Sequence, residues 1–157
     1  MATCLFAMLS FFLLPGAQAA ASMSAAEREA VESVILEVSA QMTRAGQARD
    51  VEGLFEFMLN TDKGSVIQNG MVLLTRSEAL EQTKKNMNRI SSIEYKWKQQ
   101  HVTVLSPTVA LLIAEGETSA ATQEGQSFTA PFAQTVVFVL TDGKWKAVHA
   151  HQSSPRR

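Results

Sequence analysis

Two histidines near the carboxyl end, His149 and His151, stand two residues apart in the run Ala147-Val148-His149-Ala150-His151. Imidazoles titrate near neutrality, with an ordinary pKa of about 6.5, so such a pair can serve as general base and general acid. The strand that carries them is joined to its predecessor by Asp142-Gly143, a two-residue loop that tolerates positive φ. That loop pairs Thr141 with Lys144 and sets Leu140 opposite Trp145 and Phe138 opposite Ala147. It continues with Val136 opposite His149, Gln134 opposite His151 and Phe132 opposite Ser153, all on one face. Trp145 makes this face the bulkier and more apolar one, so it is expected inward, with both histidines on it. If the preceding strands turn at Glu124-Gly125, Glu115 falls beside Gln134, Glu117 beside Phe132 and Ile113 beside Val136. A row of Glu115, Gln134 and His151 results, unless a bulge, invited by Pro131, reverses the facing.

These residues could orient one ring through the glutamate and move a proton through the other. They could equally be hydrogen-bonded pocket groups with no chemical role. A metal site would need a third ligand from Glu115 or Glu117, and no helix carries a matching histidine pair. Neither a metal nor a cofactor is expected. His101 lies in the polar stretch Lys98-Gln99-Gln100-His101 and reads as surface. Tyr95, the one tyrosine, could donate a hydrogen bond into a pocket, while Trp97 beside it reads as sheet core. No Ser-His-Asp order, nucleophile elbow or phosphate-cradling glycine loop is present.

The elements that must position these groups fall in two halves. Ser24-Ala25-Ala26-Glu27 is a capping box opening a helix whose stripe runs through Val31, Val34, Ile35, Val38, Met42 and Ala45 to Gly46. Asp50 caps a shorter helix through Leu54, Phe55, Phe57 and Met58. A small hairpin should turn at Asn69-Gly70, and Thr75-Arg76-Ser77-Glu78 caps a third helix running to about Ser91. From Ile93 the pattern becomes β-rich: 93–105, 108–122, 128–141 and 144–153. Helices followed by an antiparallel meander make one α+β domain over 24–154.

Length and charge exclude other classes. The 157 residues carry 14 basic and 15 acidic side chains, a net charge of −1 without a basic run, which argues against nucleic acid as a partner. The apolar run from Leu5 to Leu14, ended by Pro15-Gly16 and followed by Ala17-Gln18-Ala19, reads as a signal peptide over 1–19. It is too short for the roughly 20 residues of a membrane span. Export to the periplasm or outside the cell is therefore expected, with no membrane attachment after cleavage. Cleavage would remove Cys4, the sole cysteine.

The order of elements, and above all Asp142-Gly143-Lys144-Trp145-Lys146 followed by His149-Ala150-His151-Gln152-Ser153, resembles the nuclear-transport-factor-2-like superfamily, especially its small bacterial SnoaL-like members. The resemblance implies a cone: N-terminal helices packed on a strongly curved antiparallel sheet, an apolar pocket, and a homodimer formed through the outer sheet face. It implies a small apolar ligand, but no particular reaction, since relatives include isomerases, cyclases and dehydratases alongside non-catalytic binding and association domains. No Asp occupies the C-terminal strands where the acid-base carboxylates of the isomerases and cyclases would be sought. On this reading His149 and His151 are the candidate catalytic pair, and Gln134, Glu115, Tyr95, Trp145, Phe138, Val136 and Ser153 the candidate ligand contacts. The expected function is small-molecule binding. A cofactor-free isomerase, cyclase or dehydratase and a pure association domain are the alternatives.

Overall fold

The computed structural model describes residues 23–63 and 65–154; the expected signal peptide lies outside them. Helix α1 spans Ala25–Gln47, α2 Val51–Phe55 and α3 Arg76–Met87. The strands are β1 Val66–Gln68, β2 Met71–Leu73, β3 Ile90–Ser106, β4 Val109–Thr122, β5 Ser127–Thr141 and β6 Lys144–Ser153.

Both expected capping boxes form. The Ser24 hydroxyl accepts from the Glu27 amide at 3.2 Å, and the Glu27 carboxylate accepts from the Ser24 amide at 2.7 Å. The Ser24 amide, and the Ser24 hydroxyl donating to the same carboxylate at 2.8 Å, hold the Glu27 carboxyl below the usual carboxylate range. Thr75 and Glu78 repeat the arrangement at the start of α3, and Asp50 caps α2 by accepting from the Gly53 amide at 2.9 Å. The short second helix ends at Phe55, earlier than its apolar spacing suggests. There Met58 bridges to Ala147, and the Leu59 and Ala147 amides donate to the Ala147 and Phe57 carbonyls.

The six strands form one sheet in the order β2-β1-β6-β5-β4-β3, antiparallel except that β1 runs parallel to β6. Gly116 shows how the sheet curves. It faces Trp97 just where β3 carries an extra residue, Lys98, before Gln99 pairs with Glu115. A Cβ on Gly116 would stand 2.2 Å from the Lys96 carbonyl oxygen, so only glycine lets the two backbones close at this bulge. The concave face wraps α1 and α2 around a core of Ile35, Phe55, Leu112, Val136 and Phe138.

Two register details correct the sequence expectation. The β4–β5 connection is a three-residue loop, Gln123-Glu124-Gly125, with Gly125 at φ 83°, not a two-residue turn. The one-residue shift sets Glu115 opposite Ala133, Glu117 opposite Pro131 and Ile113 opposite Thr135; Gln134 faces Ala114. Pro131 itself introduces no register shift in this pair.

In the β5–β6 hairpin, Asp142 and Gly143 take positive φ as expected, and the pairing holds as far as Phe138 with Ala147. Val148 is then an extra residue on β6. Beyond it His149 faces Val137, Ala150 faces Val136, His151 faces Thr135 and Gln152 faces Gln134.

Candidate site: an uncharged cavity in the cone

The bulge at Val148 decides which side chains share the interior. Phe138 and Val136 are fully buried on the concave face, so Ala147, Ala150 and Gln152, their partners or near neighbours on β6, face inward with them. His149 and His151 alternate with these and lie on the convex face, where His151 is exposed. The expected inward row of Glu115, Gln134 and His151 does not form. Glu115 also lies on the convex face and accepts from the Gln99 amide at 2.7 Å. Ser153 faces Ala133 on that side and is exposed. Trp145 faces Leu140 as expected and packs half-buried against the core, but it does not reach the cavity.

Four expected contacts do meet around one cavity: Tyr95, Gln134, Val136 and Phe138. With them stand residues the sequence reading passed over: Ser39, Met42, Thr43 and Gly46 from α1, Leu54 from α2, and Trp97, Leu112, Phe132 and Gln152 from the sheet. The α1 contributors had a legible signal. Ser39 and Thr43 follow Ile35 at four-residue intervals, so polar groups interrupt a stripe that otherwise buries apolar ones.

Those two hydroxyls are engaged with β3. The Trp97 indole N–H donates to Thr43 Oγ1 at 3.1 Å, the Gln100 amide donates to Ser39 Oγ at 3.0 Å, and Thr43 donates to the Ser39 carbonyl at 2.9 Å. Tyr95 is anchored through its backbone N–H, which donates to Gln47 Oε1 at 3.0 Å. Its ring stacks on Trp97, with centroids 6.1 Å apart and planes 7° apart, and both tilt against Phe132 with centroids 5.7 Å away. Burial pushes the Tyr95 phenol up to about 12, so at neutral pH it is a hydrogen-bond donor and not a base. Among the described residues, the Tyr95 hydroxyl and the Gln134 and Gln152 side-chain amides make no hydrogen bond.

The inner cavity measures about 70 Å³. Tyr95, Phe132 and Gln152 also line a wider mouth of about 550 Å³, completed by residues including Gln68, Asn69, Thr118 and Phe128. The three shared residues therefore form a throat between a narrow inner end and a broad opening. Neither part is lined by Asp, Glu, His, Lys or Arg. Among the described residues no three or more His, Cys, Asp and Glu side chains gather to hold a metal ion, and no helix is long and apolar enough to cross a membrane.

Helices cradled by a curved sheet around a blind cavity define the cone architecture of nuclear-transport-factor-2-like proteins, and solved structures agree. A candidate dehydratase of that family from Streptomyces avermitilis superposes with TM-score 0.73 at 19% identity, covering 82% of this chain and 99% of its own. A superfamily member from Salmonella enterica serovar Typhimurium gives 0.76 at 17%, covering 83% and 94%. A hexachlorocyclohexane dehydrochlorinase from Novosphingobium barchaimii gives 0.72 at 15%, covering 85% and 92%. At these identities the likeness is one of fold. No curated protein sequence matches the chain. The SnoaL-like domain model matches residues 35–157, and the chain belongs to that family.

Proposed function

We propose that this SnoaL-like protein is exported and binds a small apolar molecule in its cone without transforming it. The observation that carries the reading is the chemistry of the lining: apolar and aromatic walls, a few neutral polar groups, and no side chain that titrates near neutrality. Proton-transfer catalysis requires a base within hydrogen-bond reach whose pKa lies near the working pH. His149 and His151, the residues of the right type, stand on the other face of the sheet. Dehydratase and dehydrochlorinase activities named for two structural relatives give the alternative, an elimination on a small substrate. Leu111, Ile113, Val137 and Val139 alternate on the convex face, and Ile113 is 49% exposed, which supports a homodimer through that face.

Native mass spectrometry of the protein purified without denaturation tests the reading. It should give a dimer of chains cleaved after Ala19, each retaining a small neutral molecule released only on unfolding. A released molecule that is converted to a new product by fresh protein would overturn binding in favour of catalysis. An empty cavity that takes up no apolar compound would overturn both.

A further inference from the structure

Gln134 and Gln152 are direct partners across β5 and β6, both on the concave face, and neither amide is used within the protein among the described residues. Each side chain offers one carbonyl acceptor and two N–H donors. Two such groups side by side, Gln134 on the inner wall and Gln152 in the throat with Tyr95 and Phe132, form an edge that presents donors and acceptors together. Thr118 Oγ1, on the wall of the mouth, is buried with no partner among the described residues.

Resting on the binding reading above, we propose that the cavity selects an uncharged ligand whose narrow end is amide-like. That end presents a hydrogen-bond donor and acceptor together, read by Gln134 and Gln152, with a flat apolar body lying in the throat against Tyr95 and Phe132.

Size, charge and polarity each contribute. The inner volume of about 70 Å³ is about half that of an engineered cavity of about 150 Å³ that holds benzene. It accommodates a compact head of a few atoms, while a ring must lie farther out, where the aromatic side chains are. A carboxylate or ammonium at the inner end would be stripped of water with no opposite charge to meet it. A hydrocarbon head would leave both glutamines without partners, and a lone ketone would satisfy only their donors. An amide answers both functions.

Isothermal titration at pH 7 with benzamide, benzoate, benzylammonium and toluene separates these cases. Benzamide should bind about tenfold or more tightly than either charged analogue. In the Gln134→Leu, Gln152→Leu double variant it should lose about tenfold while toluene is held at least as well. Gln152→Glu, of unchanged size, supplies an independent arm: it should favour benzylammonium over benzamide. Charged analogues that bind as well as benzamide, or a leucine variant that keeps its benzamide affinity, would overturn the inference; toluene bound in the cone would leave the binding reading standing. Failure of both benzamide and toluene to bind would overturn that reading and the inference with it.

Discussion

Along β3 to β6 the concave face shows Tyr95, Trp97, Leu112, Ala114, Phe132, Gln134, Val136, Phe138 and Gln152, while the convex face of the same strands shows Glu94, Lys96, His101, Glu115, Thr135, His149 and His151. One backbone thus separates two chemistries only by alternation. All three histidines fall on the side away from the cavity, and the groups left to meet a ligand are neutral. Residue type alone points to His149 and His151, and the facing of one strand turns them outward and sets Gln134 and Gln152 on the cavity side.

The largest effect should divide the faces by packing. Phe138 is fully buried, so Phe138→Ala should cost about 3–5 kcal/mol in urea unfolding. Ile113→Ala on the convex face should cost about 1 kcal/mol or less in the monomer. Equal losses would mean that the convex face is also core.

An intermediate effect concerns the phenol at the throat. The Tyr95 value in the folded chain, about 12, lies above its ordinary value near 10. The neutral form is the one burial favours, so its contribution is fully present below pH 10 and is lost as pH rises from about 10 through about 12. Stability should fall by up to about 2–3 kcal/mol over that window. Tyr95→Phe should remove this part of the alkaline slope in pH-dependent melting. An unchanged slope would place the phenol in water and the throat open.

The smallest effect is expected from the residues that looked most chemical. Replacing His149 and His151 together by Gln should leave binding of a cavity probe within about twofold. A loss of binding beyond that would bring the convex face into the site.

The elements were legible because their signals are local. Ser24 with Glu27, Thr75 with Glu78, Asp50, Asn69-Gly70 and Asp142-Gly143 act within a few residues, and each does in the structure what its type implies. Facing was legible only as far as the first irregularity. The hairpin register holds from Thr141–Lys144 to Phe138–Ala147 and then meets the bulge at Val148, which no local residue announces. The loop at Gln123-Glu124-Gly125 likewise differs by one residue from a two-residue turn, enough to carry Glu115 to the other face. Tyr95, Gln134, Val136 and Phe138 kept their expected facing. Gln152 was hidden by the same slip that misplaced its neighbours.

The parallel pairing of β1 with β6 sets an order of events in the life of the chain. Val66, Ile67 and Gln68 take their ladder partners from Ala150, His151 and Gln152, and the Ala150 amide donates to the Ser65 carbonyl at 3.0 Å. During synthesis from the amino end, the early hairpin must wait until Ala150, His151 and Gln152 have been made before that pairing can begin. The meander of β3 to β5 can assemble meanwhile, leaving its β5 border as an open edge until β6 arrives. The final strand is therefore the fastener of the sheet, and a chain cut short before Ala147 would lose both the seam and the inward-facing Gln152.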